Sequence, residues 1–279
     1  MMYSEDQFMT DRNQKWVRHF AAGTLAGLTL HLSCTAPSTD HGPKDLVVLS
    51  YNIHHGQGTD GVFDLERIAE VINETGADLV ALQEVDVRTG RASGVDQASE
   101  LGRLTGMVPV FGEAMPYDGG SYGEAILSRW PIAESQVIPL PASPSHEPRA
   151  AVSITVIPKD WESPIRFVGT HLDNSEDPAD RTSQVVELLS RLNPLELPTL
   201  LVGDFNSQPN SVPMQLIFQA GWTSADPLWI PTYPSISPEI KIDWILQSPG
   251  CAGQVTAGEV LIEPLASDHC PYQARWTLP

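Results

Sequence analysis

The chain has 279 residues, 41% hydrophobic and 18% charged, a balance that excludes a disordered chain and a coiled coil. Sixteen Lys and Arg against 35 Asp and Glu give a formal net charge of −19. That charge excludes a protein whose affinity comes from a broad basic surface laid on nucleic acid. It leaves carboxylates in surplus for a hard divalent cation.

Residues 1–45 differ in character from the rest. Lys15 and Arg18 precede an apolar run from Phe20 to Leu32, followed by Ser33, Cys34 and a polar stretch to Asp45. A basic flank, a short apolar segment and a small residue before a cut site describe an export signal. The run is shorter than the roughly 20 residues of a membrane span. Ser33-Cys34 is similar to a bacterial lipoprotein processing site, although His31 stands where an aliphatic residue is expected. The similarity implies lipidation of Cys34, and with it attachment to a membrane. Residues 1–33 are therefore read as an export signal, 34–45 as a linker and 46–279 as one catalytic domain. Three cysteines are too few for a disulfide framework. Cys251 and Cys270 read as two partly buried thiols.

Asp45 to Asn52 is a β-rich apolar run that ends in a polar turn, and predicts a buried strand. Residues 53–63, with Gly56, Gly58 and Gly61, predict a loop. Leu65, Ile68, Val71 and Ile72 recur at helical spacing, so a helix is expected over Asp64 to Glu74, capped by Asp64 and stopped at Gly76. Asp78 to Val85 predicts a second buried strand, and Asp96 to Leu104 a short helix. Strands are expected at Ala125 to Leu127, Ala151 to Ile157 and Ile165 to Thr170, and a helix at Arg181 to Leu192. Thr199 to Val202 reads as a strand running into Gly203-Asp204. Ile242 to Leu246 and Tyr272 to Trp276 are the last strands. Segments 139–148 and 227–238 are proline-rich loops. Helices and strands mix without a strict βαβ repeat, which predicts an α/β sandwich of mixed sheets.

Eight polar residues stand at or just past the ends of those strands: Asn52, Glu84, His171, Asp204, Asn206, Asp243, Asp268 and His269. Strand ends feeding loops are where a rigid sheet presents functional groups. One Asp or Asn there is an ordinary turn former. Eight acids, amides and imidazoles together form a set that turn chemistry does not explain.

The runs carrying these residues are Tyr51-Asn52-Ile53, Leu82-Gln83-Glu84-Val85, Tyr122 through Arg129, Thr170-His171-Leu172, Gly203-Asp204-Phe205-Asn206, Ile242-Asp243-Trp244 and Ser267-Asp268-His269. In this order they resemble the endonuclease/exonuclease/phosphatase superfamily. The resemblance implies a four-layer αββα sandwich of the deoxyribonuclease I type, with the site between two mixed sheets. It also implies hydrolysis of a phosphoester with Mg²⁺, Mn²⁺ or Ca²⁺, cations that suit hard oxygen ligands. By the same resemblance Glu84 and Asp268 are the main metal ligands, with Asn52 ligating or orienting beside them. Asp204 and Asn206 hold the water or a second metal. His269 is the general base or stabilises the phosphoryl charge, and also stands near the metal. Asp243 orients it, because a carboxylate on one imidazole nitrogen fixes the tautomer of the other. His171 donates to a non-bridging oxygen. Tyr122, Arg149 and His55 are candidate substrate contacts.

No Lys/Arg-rich helix suited to a DNA backbone is visible. The run Tyr51 to Gly56 resembles small exported bacterial members of the superfamily. That group is itself similar to the catalytic part of proteins of glycosylphosphatidylinositol remodelling. This implies a phosphodiester in a small molecule or lipid head group. An exported nuclease is the alternative, and a lipid-anchored binding protein on the same scaffold is the second. No protein partner is inferred.

Overall fold

Alternate residues of the central strands are buried on opposite faces, because each sheet is covered on both sides. The computed structural model describes residues 45–277, apart from positions 160 and 252. The export segment, the linker up to residue 44 and Cys34 lie outside the described residues. Strands β1 (Asp45–Asn52) and β2 (Leu79–Val87) run parallel, as do β7 (Ile165–His171) and β8 (Thr199–Asp204). Leu46 and Val48 of β1 and Leu79 and Ala81 of β2 share one core with Phe167, Leu200 and Val202 of the other sheet. Val47, Leu49, Val80 and Leu82 share a second core with helices α1 (Leu65–Thr75) and α2 (Gln97–Thr105). Val168 and Leu201 share a third with α3 (Ala179–Leu192) and α4 (Val212–Gln219). Three apolar layers therefore separate four layers of structure, the αββα sandwich that the motifs imply.

The remaining strands are β3 (Val108–Tyr117), β4 (Gly120–Ser128), β5 (Ile132–Leu140), β6 (Arg149–Val156), β9 (Thr223–Ser224), β10 (Asp243–Gln247), β11 (Gln254–Val260) and β12 (Tyr272–Thr277). The first sheet has the order β11-β12-β1-β2-β4-β3 and the second β5-β6-β7-β8-β10-β9. Both are mixed, with one parallel pair each.

The helix termini follow their sequence signals. Asp64 accepts from the Arg67 amide at 2.9 Å and Asp96 from the Ser99 amide at 3.0 Å, two side-chain N-caps. Gly76 and Gly106 close those helices in the left-handed conformation. Several expectations need correction. The strand expected at Ala125 to Leu127 is present but is the C-terminal part of a longer β4. Strands β3, β5, β9 and β11 and helix α4 stand where no element was expected, and Pro139 lies inside β5 rather than in a loop. A short 3₁₀ turn, His54–Gly56, opens the loop after β1. Cys251 and Cys270 are both free thiols. No helix among the described residues is long and apolar enough to cross a membrane.

Candidate active site

Three local features aim the site residues. Leu82 pairs with Ala125 and Val85 with Gly123, so Gln83 and Glu84 face the single residue Glu124. This bulge puts Glu84 at φ 59, a conformation that turns its side chain out of the strand alternation. Next, Gly203 sits at φ +150, where a Cβ would lie 1.9 Å from the Thr170 carbonyl oxygen. Only glycine lets β8 pass this close to β7 just before Asp204. Finally, the Asn206 amide donates to Asp204 Oδ1 at 2.8 Å, an Asx turn that fixes the carboxylate. Sheet register does the rest. His171 and Asp243 both lie opposite Asp204, one on each side of β8.

The result is a continuous polar chain. Asn52 Nδ2 donates to Glu84 Oε1 at 3.1 Å and to Asp204 Oδ2 at 3.2 Å, and so ties the two sheets together. Its Oδ1 accepts from the His54 amide. In this geometry Asn52 orients the carboxylates by donation. His269 Nδ1 lies 3.0 Å from Asp243 Oδ2, and its Nε2 lies 3.6 Å from Asp204 Oδ2. Arg149 Nη1 donates to His171 Nδ1 at 2.9 Å. A guanidinium has no acceptor, so His171 Nδ1 is unprotonated and its hydrogen sits on Nε2. That nitrogen is 3.5 Å from Asp204 Oδ2, the acceptor within its reach, while the Asn206 side-chain nitrogen, 3.1 Å away, donates to the Leu172 carbonyl.

Protonation follows from burial and neighbours. Burial, and then the adjacent Arg149 guanidinium, hold His171 well below the usual histidine range, so it is neutral. Burial alone would lower His269, but the Asp243 and Asp204 carboxylates outweigh it and push it up. Burial, reinforced by Asp243, pushes Asp204 up. His269 and Asp204 therefore titrate as a pair that holds a proton at neutral pH. Burial would raise Glu84, yet the His55 contact and the Asn52 hydrogen bond keep its carboxyl well below the usual range.

A cavity of about 450 Å³ opens on this chain and is lined by Glu84, His171, Asp204, Asn206, Asp268 and His269. Asp243 is buried behind His269, and Asn52 lies beneath Glu84 and Asp204. Tyr122 and Arg149 line a second, adjoining cavity that shares Glu84 with the first. His55 lines neither; its Nδ1 sits 3.8 Å from Glu84 Oε2. Tyr233, in the proline-rich segment, packs at a tilt against His269 with ring centroids 4.7 Å apart. Sequence reasoning passed over Glu124. It is fully buried with both carboxylate oxygens unpartnered, and burial raises it well above the ordinary range. The signal was available: a lone Glu two residues before Ile126, on the face of β4 that looks between the sheets.

Among the described residues three groups bring His and carboxylate atoms close enough to hold an ion. They are His54, His55 and Glu84; His146, Asp173 and Asp180; and Asp204, Asp243 and His269. The first and third flank the large cavity. With Asp268 on the cavity wall they supply a hard, oxygen-rich donor set, which fits a divalent cation. Partial burial of an ionised Glu84 also favours a positive partner.

The chain matches the Endonuclease/Exonuclease/phosphatase family model over residues 49–269. It belongs to that family. The family's members are metal-dependent hydrolases of phosphoester bonds, and so is this enzyme by class. The chain is 28% identical over 244 residues to the uncharacterized protein YbhP of Escherichia coli strain K12, covering 82% of this chain and 94% of YbhP. It is 26% identical to an endonuclease/exonuclease/phosphatase structure from Beutenbergia cavernae, with a TM-score of 0.73, covering 84% of this chain and 72% of the other. The mannosyl-6-phosphatase Bt3783 of Bacteroides thetaiotaomicron shares the fold at 19% identity and a TM-score of 0.68, covering 84% of this chain and all of the other.

Proposed function

We propose that this family member hydrolyses a phosphodiester of a small molecule or lipid head group, with Mg²⁺ or Mn²⁺ held by Glu84 and Asp268 and bordered by Asp204 and Asn206. The observation that carries this reading is the line Asp243–His269–Asp204, hydrogen-bonded at Asp243 and 3.6 Å across at Asp204, facing a neutral His171 across one cavity. The cation supplies charge neutralisation at the phosphoryl oxygens and acidifies a nearby water. The protein groups do the rest. Asn52 holds Glu84 and Asp204 in place. His171 offers its Nε2 hydrogen to a non-bridging oxygen, where charge develops in the transition state. His269, oriented by Asp243, exchanges a proton through Nε2 with the attacking water or the leaving oxygen, and Asp204 shares that proton.

The net charge of −19 and a cavity of about 450 Å³ favour a compact ester over a polyanion. The test is hydrolysis of bis(p-nitrophenyl) phosphate against p-nitrophenyl phosphate, with Mg²⁺, Mn²⁺, Ca²⁺ or EDTA. Metal-dependent release from the diester is the expected result. Release from the monoester alone would make the enzyme a phosphatase. The basic, apolar and Ser33-Cys34 segments support export and lipid attachment. Loss of fatty-acid labelling in Cys34→Ala is the result expected there.

A further inference from the structure

Two loops that border the catalytic cavity hold apolar side chains out in solvent. Residues 227–238 and 261–266 are tied together at both ends. At one end β11, which leads into 261–266, passes so close that a Cβ on Gly258 would lie 2.9 Å from Asp226 Cβ. At the other, Ser235 donates its amide to the Asp268 carbonyl at 2.7 Å and its hydroxyl to the Ser267 carbonyl at 2.6 Å. Tyr233 and Asp268 are themselves part of the cavity wall. Leu228 is 82% exposed, Ile236 70% and Ile262 68%, and Trp229, Ile230 and Leu265 are exposed beside them. This exposure is built in. Asp226 is buried, and its carboxylate accepts the amides of both Leu228 and Ile230, which fixes the backbone of the tip. Large apolar side chains grouped in water mark a surface that meets a partner.

Charge and hydrogen bonding select the partner. The stretch 227–238 contains no charged residue, in a chain of net charge −19. Glu263, between Ile262 and Leu265, turns Oε1 back to the amides of Leu265 and Ala266, at 2.9 and 3.0 Å. The patch therefore offers no cation to an anionic lipid or a nucleic acid, and little to a basic protein. A second copy of the chain would carry the same net charge of −19 to the contact and be repelled. The backbone is closed as well. Pro227, Pro231, Pro234 and Pro238 have no N–H. The amides of Leu228, Ile230, Thr232, Tyr233 and Ser235 are all spent inside the protein. A protein partner is met with open donors and acceptors, about one hydrogen bond per 100–200 Å². A segment that enters the acyl boundary must instead satisfy its polar groups internally. Trp229 and Tyr233 are residue types that settle between head groups and acyl chains. We propose that residues 227–238 and 261–266 dock the enzyme on an electrically neutral, zwitterionic lipid surface, with the catalytic cavity opening beside the contact. The docking is separate from the phosphodiesterase reading and is tested without turnover.

Hydrogen–deuterium exchange of the full chain is followed by mass spectrometry with and without phosphatidylcholine vesicles. Peptides covering 227–238 and 261–266 are expected to exchange about fivefold more slowly when vesicles are present. High salt should leave that protection in place, because no charge pair carries it. The exposed strand β5, at the far edge of the second sheet, should exchange as before. That contrast separates docking through these loops from tethering through residues 20–32 or a lipid on Cys34. Leu228→Ser combined with Ile236→Ser alters two largely exposed side chains outside the cavity wall, and an unchanged circular dichroism spectrum checks the fold. In this variant the protection of both loops should vanish even while the chain stays on the vesicles. Four results would each overturn the proposal: no slowing in either loop, slowing only on phosphatidylglycerol vesicles and lost in salt, protection that survives in the double variant, or equal slowing without lipid as the protein concentration rises. The last would assign the surface to a second copy of the chain.

Discussion

Asp243 holds His269 from behind, with Oδ2 at 3.0 Å and Oδ1 at 3.2 Å from Nδ1. The imidazole is therefore pinned with Nδ1 as the donor, and Nε2 alone faces Asp204 and the cavity. Asp243→Asn can present its NH₂ to Nδ1 and reverse the tautomer. The expected cost is about 10²–10⁴-fold in kcat, by analogy with other carboxylate–imidazole pairs. Circular dichroism should be unchanged, because Asp243 lies in β10 opposite Asp204 and the strand pairing does not depend on its side chain. A variant with the wild-type rate would remove His269 from proton transfer.

Arg149 does for His171 what Asp243 does for His269, with the opposite charge. Its guanidinium fixes Nδ1 as an acceptor and, after burial, is the largest influence holding His171 neutral. In Arg149→Met that influence is gone and the His171 pKa rises. The sign is set by charge: removing a cation favours the imidazolium. The acid limb of the pH–rate profile should move to higher pH, and kcat/KM should fall about 10²-fold. Histidine NMR titration of both proteins checks the shift directly.

Glu84→Gln removes the ionised carboxylate shared by both cavities. Wild-type protein should gain thermal stability as Mg²⁺ or Mn²⁺ is added, by about 2.7 kcal/mol at a hundredfold excess over Kd. The variant should gain none at the same concentrations. Differential scanning calorimetry reads this without any turnover, so a metal effect that survives in Glu84→Gln would place the cation elsewhere.

Lys241 is the clearest stability liability. It is 2% exposed, its ammonium nitrogen has no hydrogen-bond partner, and it sits 3.2 Å from the Tyr272 ring centroid. Burial lowers its pKa from 10.5 to about 7, against the pull of Asp243 and Asp226. Between these values the unfolded chain binds the proton and the folded chain does not, so stability rises with pH across that window. Below about pH 7 both states are protonated and the full cost of burying the charge is present. Lys241→Met should therefore stabilise the protein by about 1–3 kcal/mol at pH 6, part of the desolvation cost being offset by the aromatic contact. The gain should shrink towards pH 10, as measured by urea denaturation. A gain that grows with pH would contradict the assignment.

The strands that were legible in the sequence are the interior ones. β1, β2, β7 and β8 are covered on both faces, so their central stretches are near-continuous apolar runs, broken in β7 by Arg166. The four that were not legible, β3, β5, β9 and β11, are the edges of the two sheets. An edge strand has one neighbour and much exposed surface, so it needs no apolar run and tolerates the prolines that β3 and β5 contain. Helices α1 and α2 were legible because Asp64, Gly76, Asp96 and Gly106 punctuate them. Helix α4, Val212–Gln219, carries Ser211 at its N-cap and Pro213 in its first turn, but Ser211 makes no side-chain cap bond and the helix spans only eight residues.

The sequence by itself determined the family, the four-layer architecture and the eight strand-end residues, because these are matters of residue type and order. Tertiary structure alone decided how they work together. The bulge at Gln83-Glu84 turns one carboxylate into the site. The register of β7, β8 and β10 brings His171 and Asp243 to either side of Asp204. Arg149, on β6, reaches His171, 22 residues away in the chain, and sets its tautomer. Glu124 and Asp226 acquire meaning only from what surrounds them, one a carboxyl without a partner between two sheets, the other a buried carboxylate that holds an apolar loop in the open. Protonation, tautomer and cavity shape depend on distances between strands that are remote in the chain, and no local pattern of residues encodes those distances.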